Sequence, residues 1–412
     1  MRVLFTTLGS PSHGRAQLPL ARALAAAGHE VLVATTPVLA PVFALDDVRV
    51  TTCLDDLSPA TFLGPAMAEE AGPAGPPDMA RMDDAERQAF LLRVVTKVLS
   101  GPMATTLLDA LLPVARDFRP DLILRDGMDL GSCLIAETLG IPQLPTPSGS
   151  SNTFNPDKVL PHLNALRQQR GLSTSEEPLS VVPHGRIDYV PPAFSFAQHL
   201  PTSWAYRQTV DVDRGAVLPR WVAELPTDRP LMFAAIGTAI PMFHDSSREA
   251  DASAPQPMPM PDPVDTLHAM VQGVSRLEEC TVILATGGIP VDTDGVPPHV
   301  HITERLPQPL LLESVDLFLT HGGFNSIRES LRTATPMAVL PQFGDQPGNA
   351  QRVEELGLGR RITDTTPDGI TAVCRAVLAD DGCRARARRA RLEMLALPEI
   401  DSAVPDLEKL AG

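Results

Sequence analysis

The chain has 412 residues, 43% of them hydrophobic and 20% charged, and a formal net charge of −16. That much apolar material is enough for two or three ordinary domains and excludes a disordered polymer. The acidic balance, without a long basic run, makes nucleic acid and anionic membrane surfaces poor partners.

Five cysteines, Cys53, Cys133, Cys280, Cys374 and Cys383, are odd in number and far apart. With no CxxC pair or cysteine–histidine cluster, they read as reduced thiols of a cytosolic protein. No stretch approaches the roughly 20 apolar residues of a membrane span, so the expectation is a soluble cytoplasmic chain without stable membrane insertion.

In chain order, residues 3–7 are an apolar run ending in Leu8-Gly9-Ser10-Pro11-Ser12-His13-Gly14. Leu18, Leu20, Ala21, Leu24 and Ala25 then recur at helical spacing, and Gly28 stops the helix. Residues 30–34 are the next strand, so the chain opens as the βαβ unit of a Rossmann-like domain. The first loop lacks GxGxxG, which argues against a dinucleotide cofactor. It leaves His13 in a strand-to-helix turn, where the residues alone favour a solvated loop histidine.

Residues 55–86 are rich in Pro, Gly, Ala, Met and acidic side chains without a period, and read as a long loop bordering a ligand pocket. Residues 87–112 read as one helix. Residues 120–126 are a strand ending in Asp126, with a small-residue helix over 130–139. Asp126 can simply cap that helix, and Asp129 competes for the cap. Residues 146–180 are polar, with Ser148-Gly149-Ser150-Ser151-Asn152 leading an amphipathic piece up to Leu172. Pro191-Pro192 and the aperiodic stretch to Arg214 mark a linker region. The expected division is a first domain at 1–205, a linker at 206–217, a second domain at 218–389 and a helical tail at 390–412.

In the second domain, residues 231–236 form a strand closed by Gly237-Thr238. Residues 244–263 read as an insertion rich in Pro, Met, Ser and Asp with little fixed structure; Met242, Met258 and Met260 could form an apolar lip there. Residues 265–278 read as a helix, 281–286 and 301–306 as strands, the latter running into Arg305-Leu306-Pro307-Gln308.

Residues 315–320 are an apolar run typical of a strand buried on both faces of a parallel sheet, broken by His321-Gly322-Gly323. Asn325 or Ser326 can cap the helix suggested by residues 327–331. Strand, glycine turn and helix N-terminus aim several N–H groups and the positive end of a dipole at one spot, which suits phosphate. An ordinary capped turn would use the same residues without any ligand. After Thr335-Pro336 come a strand at 337–340 and Pro341-Gln342-Phe343-Gly344-Asp345-Gln346-Pro347. Ligands of doubly wound sheets lie beyond the carboxyl ends of strands, so Asp345 and Gln346, a carboxylate beside an amide, are placed to grip vicinal sugar hydroxyls near the phosphate. Residues 350–356, 367–378 and 384–397 read as helices with a strand at 360–362, and the arginines of the last helix as a solvated face.

HGGFNS at 321–326, followed by Pro336, Leu340-Pro341 and Asp345-Gln346, resembles the donor signature of family-1 nucleotide-sugar glycosyltransferases. Arg305-Leu306-Pro307-Gln308 stands at its WxPQ position. The likeness extends over nearly the whole chain and is closest in character to the bacterial enzymes that decorate antibiotics and other natural products. It implies the α/β GT-B fold, two Rossmann-like domains with parallel sheets facing a central cleft, the first for the acceptor and the second for the nucleotide sugar. It also implies a last helix that crosses back onto the first domain.

The same likeness places His13 on the histidine of the pattern GSxGHxxPLLPLAxALxxAGHEV that deprotonates the acceptor, with Asp126 orienting and charge-stabilising it. Ser12 and Ala16 depart from that pattern, which has glycine and proline there. It implies a donor site of Gly237, Thr238, Arg305, Leu306, Gln308, His321, Gly322, Gly323, Asn325, Ser326, Asp345 and Gln346, and Ser10 and Ser148 on the acceptor side. Family members set an aromatic ring against the base where this chain has Arg305, whose guanidinium can stack instead.

The expected reaction is inverting transfer of a deoxysugar from a TDP-sugar to a hydroxyl of a natural-product aglycone such as a polyketide. It needs no metal and no cofactor beyond the nucleotide sugar, and a homodimer is compatible with it. The alternatives are a UDP-glucose transferase acting on small lipophilic acceptors, a nucleotide-sugar epimerase, and a non-catalytic partner of a glycosyltransferase.

Overall fold

The computed structural model describes residues 1–54, 59–71, 79, 81–202, 204–209, 215–238 and 262–412. Two compact units divide the chain: Met1–Asp188, Ala197–Trp204 and Ile400–Gly412 form the first, Tyr189–Phe196 and Ala205–Glu399 the second. The chain thus passes between units more than once around residues 189–205, and again between Glu399 and Ile400.

The first unit is built on β1 (Arg2–Thr6), β2 (Glu30–Ala34), β3 (Arg49–Thr51), β4 (Leu122–Arg125) and β5 (Gln143–Pro145), in the order β3-β2-β1-β4-β5. Every neighbouring pair is parallel. The central strands are buried almost throughout, as strands covered by helices on both faces must be. The order reverses between β1 and β4, a switch point whose carboxyl ends carry Thr7-Leu8-Gly9 and Asp126.

The second unit repeats the plan with six strands: β6 (Leu231–Ala235), β7 (Thr281–Ala285), β8 (Val300–Thr303), β9 (Leu317–Thr320), β10 (Met337–Val339) and β11 (Gly359–Arg361). Their order is β8-β7-β6-β9-β10-β11, again all parallel. Here the switch point falls between β6 and β9, at Gly237 and His321.

Three expectations change. The described part of residues 55–86 includes a helix, α2 (Pro59–Ala71); Ala, Met and Glu are strong helix formers and outweigh the lack of a period. Glu69 and Glu70 pair with Lys97 and Arg93 at 2.7 and 3.0 Å, fastening α2 to the next helix. The expected single helix at 87–112 is two, α3 (Asp84–Ser100) and α4 (Pro102–Phe118). Proline disfavours helical geometry in the residue before it, and Gly101 takes φ −115°, ψ −100°. The combined run Glu86–Phe118 does have the length and composition of a membrane span, contrary to the reading of the sequence. Val94, Val98, Met103, Leu107, Leu108 and Leu111 are nevertheless buried within the unit.

The insertion expected at 244–263, with Met242, Met258 and Met260, lies outside the described residues as far as residue 261. In the 390–412 tail, the helix Asp381–Leu395 packs in the second unit, and Ala403–Ala411 in the first, where Glu408 meets His29 at 3.0 Å.

Candidate functional site

In the first unit α1 spans Pro11–Ala26, so His13 sits in the first turn of the helix and not in the loop before it. Its Nδ1 lies 2.8 Å from Oδ2 of Asp126. Asp126 is 1% exposed. Its carboxylate also accepts the backbone N–H of Met128 at 2.9 Å and of Leu8 at 3.3 Å. Neither acid is the N-cap of the helix Gly131–Leu139, which is Leu130; Asp129, one residue before it, accepts from Ser132 N at 2.9 Å and Thr6 Oγ1 at 2.7 Å. Burial pushes the Asp129 carboxyl up. Asp126 is therefore left to face the histidine. A carboxylate only accepts, so Nδ1 is the donor and the lone pair of the neutral imidazole lies on Nε2.

Gly127 is required where it stands: a Cβ there would strike Ser148 Oγ, Ser151 Oγ and, at 3.2 Å, Ser151 N. Ser148, 5% exposed, thus borders the Asp126 turn. Ser10 Oγ lies 2.6 Å from Ser12 Oγ at the start of α1.

One residue escaped the sequence reading. Gln17, a turn beyond His13 on α1 and 1% exposed, donates to Thr6 O at 2.8 Å and Thr146 Oγ1 at 3.0 Å, and accepts from Thr7 Oγ1. The pattern quoted for this segment has leucine at that place, and the polar residue inside an apolar helix face was the available signal.

In the second unit β9 ends at Thr320 and α5 (Phe324–Thr333) begins immediately after His321-Gly322-Gly323. The expected cap by Asn325 or Ser326 is not formed: Gly323 is the N-cap and makes no side-chain bond. The helix starts a turn early because Phe324, buried against Phe196 at 5.7 Å, anchors its first residue. Asn325 Oδ1 accepts instead from the Arg328 guanidinium, and Ser326 Oγ accepts from Gln308 Nε2 at 3.2 Å. A helix N-terminus without a capping side chain is a place where anions bind.

The His321 ring lies between two glycines. A Cβ on Gly237 would come within 2.5 Å of its Nε2, and one on Gly323 within 3.0 Å of its Cε1. Gly237 and Gly322 have φ of +79° and +84°. Burial pushes the His321 imidazole down to about 4, opposed by the nearby Ala235 carbonyl, so the ring is neutral at pH 7. Its Nδ1 is buried without completing a hydrogen bond.

Asn349 ties the second loop to the first, donating to Gly322 O at 2.9 Å and Asp345 Oδ2 at 2.6 Å. Gln346 is 3% exposed, and its Oε1 accepts Gln342 N at 2.8 Å and Phe343 N at 3.2 Å. Its amide oxygen thus holds its own loop. Thr238 is exposed after β6. The Arg305 side chain, 76% exposed, lies 3.4 Å from Glu304 and reaches Gly287 O at 3.5 Å; Leu306 packs half-buried into the core.

Glu329 was not anticipated. It is 7% exposed and accepts from Gln308 Nε2 at 2.6 Å. Its spacing of three from Ser326 on one helix face was the signal. Among the described residues no group of three His, Cys, Asp or Glu is arranged to hold a metal ion.

Residues 22–236 match the N-terminal domain, and residues 268–410 the C-terminal domain, of the family described as erythromycin biosynthesis protein CIII-like. The chain belongs to this family. Its similar relatives include the 3-alpha-mycarosylerythronolide B desosaminyl transferase of Saccharopolyspora erythraea, 25% identical over all of this chain and 99% of the relative. The L-demethylnoviosyl transferase of Streptomyces niveus is 28% identical over 94% of this chain and 93% of the relative.

Among solved structures, the spinosyn rhamnosyltransferase SpnG complexed with thymidine diphosphate superposes with a TM-score of 0.74 at 23% identity, covering 99% of this chain and 100% of SpnG. SsfS6 of Streptomyces sp. SF2575, also complexed with thymidine diphosphate, gives 0.72 at 22%, covering 99% of both chains. The erythromycin CIII-like chain described here thus has the GT-B glycosyltransferase fold, as its sequence leads one to expect, and is a sugar-transferring enzyme.

Proposed function

We propose that the protein transfers a deoxysugar from a TDP-sugar to a hydroxyl of a polyketide-type aglycone, with inversion at the anomeric carbon and without a metal ion. The observation that carries the reading is the 2.8 Å contact between His13 and the buried Asp126. Relatives matched over all of this chain are named as desosaminyl and mycaminosyl transferases, and fold neighbours are complexed with thymidine diphosphate.

In this mechanism the acceptor O–H gives its proton to Nε2 of His13, the oxygen bonds to the anomeric carbon, and the bond from that carbon to the diphosphate oxygen breaks on the opposite face. Asp126 holds the histidine tautomer and stabilises the imidazolium. Negative charge developing on the leaving diphosphate is met by the N-terminus of α5, the Thr238 hydroxyl and the neutral His321. Donors and a dipole thereby take the part that a metal takes in other phosphate chemistry. Asp345 offers a carboxylate to sugar hydroxyls, while Gln346 retains only its amide N–H groups for that purpose. Gln308, its amide N–H groups taken by Ser326 and Glu329, keeps its carbonyl oxygen as an acceptor there, and Arg305 offers a planar cation able to stack on a base. No cofactor beyond the nucleotide sugar enters the reaction.

The test is transfer in EDTA from a panel of TDP-deoxysugars to polyketide aglycones, read by mass spectrometry and by the anomeric configuration of the product. The reading requires inversion, and a transfer rate strongly reduced in His13→Ala. Retention of configuration, or transfer by His13→Ala at the wild-type rate, overturns it. Conversion of the sugar with acceptor omitted identifies an epimerase instead.

A further inference from the structure

His13 and Asp126 stand on different elements, and the short distance between them survives only if α1 is held at a fixed height over the ends of β1 and β4. Gln17 is a fully buried amide on the same face of α1, four residues on. Both its N–H groups and its oxygen are used: Nε2 donates to Thr6 O at 2.8 Å and to Thr146 Oγ1 at 3.0 Å, and Oε1 accepts from Thr7 Oγ1.

These partners lead to Asp126. Thr6 O also accepts the Asp126 N–H at 3.0 Å. Thr146 Oγ1 in turn donates to the carbonyl of Arg125 at 3.0 Å. Arg125, 1% exposed, donates to Asp126 O at 3.3 Å and Asp129 O at 3.2 Å, gripping the turn that presents the carboxylate. One side chain therefore connects the helix bearing the histidine to the strand end bearing its partner, through a network with no spare donor on the amide. Such a network holds a single geometry more strictly than apolar packing does, because any slip leaves a buried polar group unmet.

We propose that Gln17 is a positioning residue for the reaction, acting through His13: its amide fixes α1 against β1 and β5 so that the imidazole keeps its contact with Asp126. This rests on the reading of His13 as the acceptor base, and it assigns Gln17 no contact with substrate.

The test uses the full chain labelled with ¹⁵N-histidine. A hydrogen-bonded imidazole N–H facing a carboxylate gives a slowly exchanging downfield proton resonance, assigned to His13 by its absence in His13→Ala. Gln17→Met, of similar length but without hydrogen bonds, is expected to lose or broaden that resonance while the protein still melts cooperatively and binds TDP as the wild type does. Thr146→Val, which removes one of the bonds, should weaken it in the same sense and provides a milder variant if Gln17→Met does not fold.

In the transfer assay, Gln17→Met should lower kcat by about tenfold to a hundredfold with the donor KM unchanged, the penalty of a small misplacement. It should add nothing to the loss in a His13→Ala background. An unchanged resonance and kcat in Gln17→Met overturns the proposal, as does an equal proportional loss in the His13→Ala background, which would mark a general structural role. A wild-type spectrum without the His13 resonance overturns the His13–Asp126 reading itself, so the two failures are told apart.

Discussion

Gly237→Ala tests the reading of the second switch point by a perturbation of one methyl group. The new Cβ would lie 2.5 Å from Nε2 and 2.9 Å from Nδ1 of His321, a ring that Gly323 also abuts. The imidazole must move by roughly 1 Å to restore van der Waals contact. Gly237 also has φ +79°, where a side chain costs about 1–2 kcal/mol. Backbone strain and displaced ring together should cost about 2–4 kcal/mol, which for a unit of this size lowers Tm by roughly 5–12 °C.

The assay is thermal melting together with calorimetric titration of TDP. Gly295→Ala is the control, because Gly295 has a similar φ of +76° with no atom within 4 Å of its would-be Cβ. Gly295→Ala should lose stability and keep TDP affinity, whereas Gly237→Ala should lose both, with affinity down by more than about tenfold, or 1.4 kcal/mol. Undiminished TDP binding by Gly237→Ala would refute the placement of the diphosphate against His321.

Asp126→Asn should lower kcat by about 10²–10⁴-fold while TDP binding to the other unit is unchanged; near-normal turnover would remove the carboxylate from the mechanism. Asn349→Ala removes the bonds to Gly322 O and Asp345 Oδ2 and should cost about 1–3 kcal/mol of stability and weaken TDP binding in parallel, as melting and titration will show; normal TDP affinity would detach the Asp345 loop from the donor site. The half-buried His321, with its imidazole pushed down to about 4, makes stability pH-dependent. Between pH 6.5 and 4 the unfolded chain binds the proton and the folded one does not, so stability falls as pH falls through that window by up to about 3 kcal/mol, and His321 adds no further loss below it. Comparing melting against pH for wild type and His321→Asn isolates this contribution, and a His321 ring titrating near 6.5 by NMR would contradict it.

The βαβ openings, the turns at residues 8–14 and 321–323 and the helix after His321 were legible because apolar runs, glycine turns and helical spacing coincide there, whereas the strand orders that make those turns switch points were not. What the sequence hid was the competition between neighbours. Asp126 and Asp129 are equally good caps on paper; only the fold shows that Ser132 and Thr6 claim Asp129. Asn325 and Ser326 looked like caps because polar side chains near a helix start usually are, but burial of Phe324 moved the start forward. Gln346 reads as a sugar ligand until two loop N–H groups are seen to occupy its oxygen. Gln17 and Glu329 were passed over because their partners, Thr146 and Gln308, are distant in sequence. The helix at Pro59–Ala71 lacks the periodicity by which helices are recognised, since composition rather than an apolar stripe sustains it.

The central claim, a metal-free site for a TDP-sugar, is tested most directly by calorimetric titration of the full chain with TDP and with UDP in EDTA, repeated with magnesium. The account predicts that TDP binds more tightly than UDP, that magnesium changes neither affinity, and that TDP at a hundred times its Kd adds about 2.7 kcal/mol of stability. Absence of binding by either diphosphate, or binding only with magnesium, would contradict it.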